Sequence, residues 1–395
     1  MKRCFCGILS ILLLLFLLAG CSEKPSPPIL SEKPTEGSST VTLAAVGDIC
    51  MTDAMLASMR RADGSYEFLP LFGDTVSTVA AADLAMGNFE GNFAGTPYTN
   101  GSYPDELAAA LGNVGFDLLQ TANTYSIQNG LAGLERTKSV IEGEQIAALG
   151  TYVSKSDATA NRVLVREANG IRIAFVAFTK GLGGMSIPAG SEYCTNLLYT
   201  DYSGNYARVD TDGITAVLAQ ARSLQPDVIV AALHWGSEGS SEVSKTQQQI
   251  AELLLRNGVD VILGSHSHKA GQVERRTVHF SDGSSKEAVI AYSLGDYCTT
   301  EESGINVSLI LKLKFTRDHE SGVTTLTDVG YTPIATVDLG AEAKQRYLVL
   351  NMDNAIELYE SNYFDRIPED LYHTLVTRRE KLANTVFPKE STDEG

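Results

Sequence analysis

The sequence predicts an α/β domain built around largely parallel strands, and three observations support that prediction. Short apolar runs recur along the chain, bounded by aspartate and glycine as buried parallel strands are. Stretches with apolar residues at helical spacing lie between several of these runs. Polar side chains that suit metal binding follow the ends of the runs, where open α/β sheets place their functional groups.

The predicted strands share one pattern, an apolar run that leads into a polar or glycine-containing turn. The run at 41–46, for example, leads into Gly47-Asp48. In chain order the strands are predicted at residues 41–46, 83–86, 116–120, 171–178, 227–233, 258–264, 288–294 and 307–315.

Two helices are predicted between strands from the spacing of their apolar residues. One covers residues 211–223, with Asp212 as the expected N-cap, and the other covers 245–257, with Gly258 as the expected stop. Residues 281–285 are predicted to be a loop or a hairpin turn. Strands that alternate with helices in this way are typical of α/β domains.

The N-terminus is typical of a secretion signal. Two basic residues precede an apolar stretch, residues 8–18, that is too short to span a bilayer comfortably. The stretch ends in Leu18-Ala19-Gly20-Cys21, the lipobox pattern, in which the cysteine is lipidated and the chain is cut just before it. Residues 1–20 are therefore predicted to be a lipoprotein signal peptide, and Cys21 to carry lipid that anchors the protein to the extracytoplasmic face of a bacterial membrane. The alternative is an ordinary signal peptide with a chance cysteine.

Three segments follow the predicted signal. Residues 21–40 contain Ser, Pro, Glu, Lys, Thr and Gly with almost nothing to bury, so they are predicted to be a flexible tether. Residues 41–338 form the predicted folded domain. Residues 339–395 are predicted to be a helical C-terminal extension with a break around Pro368.

Charge and cysteine content exclude some classes of function. The formal net charge of −17 repels phosphate backbones and anionic lipid heads, so nucleic-acid binding is not expected and a lipid would have to supply the tether. Beyond Cys21, the mature chain keeps Cys50, Cys194 and Cys298, which are too few and too widely spaced for a disulfide framework. At most one pair could form, and buried free thiols are the alternative.

Three of the six histidines lie at the ends of predicted strands. His234 ends one apolar run, and His266 and His268 follow the next in Gly-Ser-His-Ser-His. Neutral imidazole is the commonest metal ligand in proteins. The alternative for His266 and His268 is a pair of loop histidines without a metal, and the third strand-end histidine favours the metal site.

Carboxylate and amide side chains stand at other strand ends. Taken singly, each has a structural alternative, because the aspartate can cap a helix, the asparagines can hold turns and the glutamates can be exposed loop residues. These residues are Asp48, Asn88, Glu90, Asn123 and Glu238. Together with the histidines they suit zinc, manganese or iron, so the joint pattern predicts a divalent metal site.

The joint pattern resembles the CapA family, the capsule-biosynthesis proteins associated with poly-γ-glutamate. The resemblance runs from Val41 to about Phe315 and rests on five motifs in family order: Ala-Val-Gly-Asp-Ile49, Gly-Asn-Phe-Glu90, His-Trp-Gly-Ser-Glu238, Gly-Val-Asp-Val-Ile-Leu-Gly-Ser-His-Ser-His268 and Tyr292-Ser-Leu-Gly295. It implies a four-layer α/β/β/α sandwich of the calcineurin-type metallophosphoesterase kind. It also implies a metal site made by Asp48, Glu90, His234, His266 and His268, with Asn88 and Glu238 as candidates for substrate binding.

The chain departs from the family pattern where a catalytic pair is expected. The family usually shows Asn-Asn-His and then an aspartate three residues after the histidine, whereas this chain has Asn123-Thr124-Tyr125 and Gln128. Asn123 and Tyr125 are thus the catalytic candidates, but threonine is a poor ligand and a phenol titrates near pH 10. A phenol cannot exchange protons near neutrality as imidazole does.

Smaller departures lie close to the histidine motif. Ser267 stands where proline is common, Gly271 where glutamine is usual and Asp296 where the family has asparagine. A single ion could be retained through Asp48 and the three histidines.

Three functions are consistent with these features. The first is a surface lipoprotein that helps to make, export or trim an anionic envelope polymer such as poly-γ-glutamate through a partly degenerate metal site, alone or with the polymer's synthesis machinery. The second is a binding or scaffold lipoprotein that keeps the fold without turnover. The third is an extracellular metallophosphoesterase. The sequence leaves open whether the domain is an enzyme.

Overall fold

Two β-sheets face each other across the middle of the protein in the computed structural model, which describes residues 37–98, 101–362 and 367–388. The predicted signal peptide, the lipidation site at Cys21 and nearly all of the predicted tether lie outside the described residues. No helix in the described ranges is long and apolar enough to cross a membrane.

Thirteen strands within the described residues form the two sheets. The first sheet has the order β13-β12-β11-β1-β2-β3-β4 and the second β5-β6-β7-β8-β10-β9. Within them β1 to β4 pair in parallel, as do β6, β7, β8 and β10. The strands are β1 (Ser38–Ile49), β2 (Leu84–Phe89), β3 (Leu118–Gln120), β4 (Ala147–Leu149), β5 (Leu164–Ala168), β6 (Ile171–Thr179), β7 (Val228–His234), β8 (Val261–Ser265), β9 (Val273–His279), β10 (Ser285–Ala291), β11 (Ile305–Asp318), β12 (Thr324–Asp338) and β13 (Tyr347–Asn351).

Helices connect most of the parallel strands, as parallel pairing requires. They are α1 (Asp53–Ser58), α2 (Leu69–Phe72), α3 (Val76–Ala80), α4 (Glu106–Val114), α5 (Gly130–Gly143), α6 (Lys155–Asn161), α7 (Thr211–Ser223), α8 (Lys245–Arg256), α9 (Met352–Glu360) and α10 (Glu369–Val386), with a short 3₁₀ turn at Glu192–Cys194.

Alternating apolar side chains give each sheet two buried faces. In β1, Leu43 belongs to the apolar cluster between the sheets, whereas Ala44 packs beneath helices on the other side. In β7, Val230 faces the same central cluster and Ile229 packs under α7 and α8. Strands buried on both faces are typical of parallel sheets covered by helices.

The apolar clusters on the outer face of each sheet show which helices form the two outer layers. Residues of α1 to α5, such as Leu107 and Ile141, cover the outer face of the seven-stranded sheet. Ile214 of α7 and Leu254 of α8 cover the outer face of the six-stranded sheet. The predicted four-layer α/β/β/α arrangement is therefore confirmed.

Two local predictions need correction. The N-cap of α7 is Asp210, not Asp212, because Asp210 Oδ1 accepts the backbone N–H of Gly213 at 3.0 Å. The segment predicted as a helical extension begins with β13, which pairs antiparallel with β12 before α9 and α10 follow. The residues of β13 complete the edge of the seven-stranded sheet, and the spacing of apolar residues along the sequence does not reveal that pairing.

A close backbone approach joins the two sheets at one edge. A Cβ atom on Gly47 would lie 1.8 Å from the carbonyl oxygen of Gly295, so only glycine fits there. Asp48 donates its N–H to that carbonyl at 2.8 Å, and Tyr297 donates its N–H to the carbonyl of Asp48 at 2.8 Å. The loop after β10 in one sheet is thereby held against the end of β1 in the other.

Candidate metal centre

The carboxyl ends of β1, β2, β7 and β8 meet at this joined edge. Asp48 lies near the end of β1, Glu90 directly follows β2 and His234 is the last residue of β7. His266 and His268 follow β8. The two sheets thus gather residues that are more than 200 positions apart in the sequence, because parallel strands end at the same edge within each sheet and the two edges are joined.

Asp48 is fully buried and held by three groups. Its Oδ1 accepts from Asn88 Nδ2 at 2.5 Å, and its Oδ2 accepts the backbone N–H of His266 at 3.0 Å. Oδ2 also lies 3.7 Å from His268 Nδ1. The contact with His266 ties the end of β1 to the histidine loop after β8.

The histidine loop has a backbone that few residues other than glycine adopt. His266 has φ 91° and His268 has φ 58°, both in the left-handed region. The rings of His234 and His266 lie 4.5 Å apart by their centroids, and those of His266 and His268 lie 6.5 Å apart. Strained backbone of this kind is concentrated at functional sites, where surrounding contacts hold it in place.

Glu90 faces the histidines from the end of β2. Its Oε1 lies 3.4 Å from His234 Nε2 and its Oε2 lies 3.7 Å from His268 Nε2. Glu90 is only 3% exposed, yet Oε2 has no hydrogen-bond partner, and neither has the buried Nδ1 of His266. Buried polar atoms without partners are costly, and a cation between them would satisfy both.

The donor set fits a divalent cation. Glu90, His234 and His266 place ligand atoms within 4.8 Å of one another, and so do Asp48, Glu90 and His268. Carboxylate oxygens and imidazole nitrogens in such groups suit zinc, manganese and iron. The structure thus supports a divalent-metal site, while the role of each residue stays a prediction.

Burial and mutual repulsion disfavour the ionised carboxylates. Burial, followed by the charge of Asp296, raises the pKa of Asp48 to about 7. Burial and the charge of Asp48 raise the pKa of Glu90 well above its usual range. Without a cation the cluster holds more negative charge than its surroundings stabilise, and a bound cation would reverse this.

The three imidazoles differ in basicity. Burial and neighbouring histidines lower the pKa of His234 well below its usual value. Burial, with Lys180 and His268 nearby, lowers the pKa of His266 to about 3. Burial would also lower the pKa of His268, but the hydrogen bond and charge of Asp296 outweigh it and raise that pKa to about 10. His234 and His266 are therefore neutral at pH 7, as metal ligands must be.

A cavity of about 360 Å³ opens above the cluster. Glu90, His266 and His268 reach it from one side, and Tyr125, Lys180 and Glu238 reach it from others. Lys180 is the only lysine or arginine among the cavity-lining residues of the described chain. Its ammonium donates to the carbonyl of Gly236 at 2.6 Å and lies 4.7 Å from the centre of the Tyr206 ring.

The pair that departs from the family pattern lies in this site. Thr124 Oγ1 is hydrogen-bonded to His234 Nε2 at 2.9 Å, and Tyr125 is half-buried at the cavity wall. Burial and the charge of Glu90 raise the pKa of Tyr125, so the phenol stays protonated at pH 7. The side chain can donate a hydrogen bond to a ligand, but it is a poor general base.

The two asparagines are buried supports. Asn88 is 3% exposed and Asn123 is fully buried, and neither lines the cavity. Asn123 Nδ2 donates to the carbonyl of Phe89 at 2.5 Å and to Asn88 Oδ1 at 3.3 Å, while Asn123 Oδ1 accepts the N–H of Tyr125 at 3.0 Å. Their geometry fits orientation of Asp48 and Tyr125 better than contact with a substrate. Exposed Glu238, by contrast, lines the cavity as a substrate-binding residue would.

Three residues belong to the site although the sequence alone did not place them there. Asp296 Oδ1 lies 2.7 Å from His268 Nδ1, and Cys50 Sγ lies 3.9 Å from the same oxygen. Lys180 directly follows β6. The strand-end rule, applied to β6 and to the turn after β10, would have indicated Lys180 and Asp296.

Comparison with known proteins identifies relatives of the whole region that carries the site. A family model described as "Bacterial capsule synthesis protein PGA_cap" matches residues 42–301. The PGA biosynthesis protein CapA of Bacillus subtilis (strain 168) is 24% identical over 302 residues, which cover 73% of this chain and 70% of that protein. The capsule biosynthesis protein CapA of Bacillus anthracis is 22% identical over 269 residues, which cover 65% of this chain and 59% of that protein. This chain thus spans less than two thirds of the Bacillus anthracis protein.

Solved structures with a related arrangement are more distant. The NAD nucleotidase of Haemophilus influenzae aligns over 88% of this chain and 60% of its own, with a TM-score of 0.45 and 11% identity. The calcineurin-like phosphoesterase YfkN of Bacillus subtilis aligns over 86% of this chain and 100% of its own, with a TM-score of 0.42 and 11% identity.

Proposed function

The chain belongs to the family of bacterial capsule synthesis proteins, and from that premise we propose that it serves the synthesis, export or trimming of an anionic envelope polymer through a divalent-metal site. Poly-γ-glutamate is the polymer that the CapA resemblance implies, and the name of the Bacillus subtilis relative, "PGA biosynthesis protein CapA", agrees with it. The metal site is the cluster of Asp48, Glu90, His234, His266 and His268.

One observation carries this proposal. The Oε2 atom of Glu90 and the Nδ1 atom of His266 are buried and have no hydrogen-bond partner, and both residues line an open cavity. A buried carboxylate that lacks a partner is rarely kept for stability, and clusters of perturbed carboxylates and histidines in a cleft are typical of functional sites.

The residues around the cluster suit an anionic ligand. A divalent cation bound here would supply positive charge that polarises a carbonyl or phosphoryl oxygen. Lys180 would pair with a carboxylate of the polymer, and its ammonium is already held in place by Gly236 and Tyr206. Tyr125 would donate a hydrogen bond from the cavity wall.

The metal part of the proposal is tested by metal analysis of the detergent-solubilised full-length protein, purified without chelator. We expect Mn, Zn or Fe to co-purify, and Glu90→Gln and His234→Ala to reduce the bound amount strongly. His373→Ala is the matched control, because His373 is 69% exposed on α10. Wild-type protein that binds none of these metals, after purification and after reloading, would refute the metal site.

The substrate part is tested by binding of purified poly-γ-glutamate. A hydrogen bond between charged groups contributes about 1.5–3 kcal/mol, so Lys180→Met should weaken binding by about tenfold or more. Lys344→Met removes an exposed lysine between β12 and β13 and should leave binding unchanged apart from a small charge effect. Equal affinity for wild type and Lys180→Met would refute a polymer site in this cavity.

A binding or scaffold role without turnover is the second candidate. The observation that favours it is Thr124, whose hydroxyl occupies the side of His234 where the family pattern has an asparagine. A scaffold would bind polymer with the affinity of the wild type yet leave polymer length unchanged after long incubation with metal. Shortening of the polymer that depends on Glu90 would exclude this role.

We also propose that lipid on Cys21 anchors the protein to the extracytoplasmic face of the membrane. The lipobox after a short apolar stretch supports this. Cys21→Ser should move the protein from the membrane to the soluble or secreted fraction, whereas Cys194→Ser should not. A Cys21→Ser form that stays membrane-bound with unchanged mobility would refute the anchor.

A further inference from the structure

We propose that Cys50, His268 and Asp296 form a second cation position beside the first, and that its thiolate makes it selective for zinc or ferrous iron over magnesium. The inference deepens the proposed function, because it rests on the same pocket holding divalent cations. It concerns two residues, Cys50 and Asp296, that the CapA resemblance does not supply.

The three side chains already have the spacing of metal ligands. A sulfur, a nitrogen and an oxygen from these residues lie within 4.8 Å of one another. His268 Nδ1 is 2.7 Å from Asp296 Oδ1, and Cys50 Sγ is 3.9 Å from that oxygen. Zinc binds sulfur at about 2.3 Å and nitrogen or oxygen at about 2.0–2.2 Å, which places ligand atoms about 3–4 Å apart. Small side-chain shifts would therefore admit the ion.

The second position differs from a first position at Glu90, His234 and His266, whose ligand atoms form a separate group. His268, which the proposed metal site also includes, links the two positions. His268 turns Nδ1 towards Asp296 and Nε2 towards Glu90, so the two ring nitrogens face different carboxylates. The carboxylate of Asp48 lies between the positions, since its Oδ2 accepts the N–H of His266 and is 3.7 Å from His268 Nδ1.

A separate observation concerns the balance of charge in the cluster. Glu90 Oε2, 3.7 Å from His268 Nε2, is buried and has no hydrogen-bond partner. Asp48, Glu90 and Asp296 are each at most 3% exposed. Three buried carboxylates around one protonatable histidine need further positive charge, and a cation held by Asp296 and His268 would supply it.

Asp296 is itself fixed from behind, as ligands in metal sites usually are. Its Oδ2 accepts from Asn306 Nδ2 at 2.7 Å, and its backbone carbonyl accepts from Ser308 Oγ at 2.5 Å. Both partners lie on β11. Oδ1 is left to face His268 and Cys50, so the carboxylate is aimed at the second position by the sheet.

The thiol decides which ion is preferred. Cysteine sulfur is a soft ligand that favours zinc and iron, whereas magnesium takes oxygen ligands almost exclusively. Binding would release the thiol proton of Cys50 to solvent and form a metal–sulfur bond in its place. Cys50 and His268 line the cavity, so the open side of the ion would face a ligand there.

The other two cysteines provide controls. Cys194 is buried among apolar residues including Leu134 and Leu182, away from the cluster. The thiol of Cys298 donates to the backbone carbonyl of Cys50 at 3.4 Å. Neither belongs to a group of ligand atoms within the described residues.

The experiment loads the reduced, detergent-solubilised full-length protein with Co²⁺ and records its near-ultraviolet spectrum. A cobalt–thiolate bond gives a sulfur-to-metal charge-transfer band that oxygen and nitrogen ligands do not give. We expect this band in the wild type, its loss in Cys50→Ser and its retention in Cys194→Ser. Zinc content should fall by one ion per chain in Cys50→Ser, and Asp296→Asn should weaken zinc binding by about 10- to 100-fold.

The outcomes separate this inference from the proposed function. Absence of the band in the wild type, or a band that survives Cys50→Ser, would overturn the second position. His234→Ala disables only the first position and should leave the band in place. If the band is present but no ion depends on Glu90, His234 and His266, the metal part of the proposed function fails and the second position stands.

Thermal unfolding of each variant in chelator shows whether a loss of the band reflects misfolding. Asp296→Asn repeats the test with a nearly isosteric change.

Discussion

Acidic residues at the two ends of the parallel strands are in opposite electrostatic situations. Four aspartates directly precede β2, β3, β7 and β8, and each accepts a backbone N–H from the neighbouring strand at 2.7–2.8 Å. They are Asp83, Asp117, Asp227 and Asp260. At the other end, Asp48, Glu90 and Asp296 face one another and the histidines.

Basic side chains are also divided unequally between the two ends. Asp260 pairs with Lys286 at 2.8 Å, and Asp227 pairs with Arg317. Asp227, Asp260 and Lys286 line a cavity of about 610 Å³, larger than the 360 Å³ cavity above the histidines. The larger cavity thus lies where charge is compensated, and the smaller where it is not.

The difference shows that cavity size is a poor guide to the site in this protein. Each aspartate that precedes a strand has a structural partner, which accounts for its presence. Burial raises the pKa of Asp117 and Asp260 too, but at Asp48 and Glu90 the charge of a neighbouring carboxylate raises the pKa in addition to burial. Uncompensated buried charge is therefore the stronger indication of function.

The largest expected effect comes from restoring the missing pair at the site. Thr124→Asn with Tyr125→His places an amide oxygen and an imidazole beside His234. General acid–base catalysis contributes about 10²- to 10⁴-fold, so the double variant should gain phosphoesterase activity of that order or bind more metal, whereas the wild type should hydrolyse simple phosphoesters feebly. The measurements are p-nitrophenyl phosphate turnover and metal content. Strong wild-type turnover that Tyr125→Phe leaves intact would place the chemistry elsewhere.

Metal bound by the carboxylates and histidines that follow the strands should stabilise the domain. A ligand at 100 times its dissociation constant adds about 2.7 kcal/mol to the free energy of unfolding. Zn²⁺ or Mn²⁺ should therefore raise the thermal midpoint of the wild type and of His373→Ala, and should have little effect on Glu90→Gln. An equal rise in all three would mean that the ion binds somewhere else.

At the other end of the strands, where each aspartate has a structural partner, loss of a carboxylate should destabilise the protein. Asp260→Ala leaves the N–H of Ile229 without its acceptor and Lys286 without its anion, which should cost about 1.5–3 kcal/mol in the free energy of unfolding. Urea unfolding measures the loss. Asp212→Ala, which changes an exposed aspartate in the first turn of α7, should stay within about 0.5 kcal/mol of the wild type. A tolerated Asp260→Ala would remove the contrast between the two ends.

The smallest effect should have the opposite sign. Asp48→Asn removes a buried carboxylate that burial and Asp296 disfavour, but it also turns one of two accepting oxygens, which face Asn88 Nδ2 and the N–H of His266, into a donor. We expect the two effects to leave a net stabilisation of no more than about 1 kcal/mol at pH 8 in chelator. The same variant should lose stabilisation by metal. Destabilisation of the chelated protein would show that the charge at Asp48 is compensated by groups not recognised here.

Part of the strand and helix pattern was predictable, because it depends on local sequence. The predicted helices at 211–223 and 245–257 correspond to α7 and α8, and Gly258 follows the second in a left-handed conformation. Strands β4, β5, β9, β12 and β13, helices α1 to α6 and the N-cap at Asp210 were not predicted. A cap depends on which side chain reaches a free N–H, and a strand that follows a long hairpin depends on the sheet edge that it completes.

The sequence by itself indicated the family, eight of the thirteen described strands, helices α7 and α8, and the strand-end residues Asp48, Glu90, His234, His266 and His268. Those features are local patterns, and parallel strands bring their ends together whatever their separation along the chain. Only the tertiary structure decided that Asn88 and Asn123 lie behind the site, that Lys180 lines its cavity and that Cys50 and Asp296 meet His268. These relations depend on how two sheets pack at the contact between Gly47 and Gly295, and distances between elements of different sheets are not encoded in either element alone.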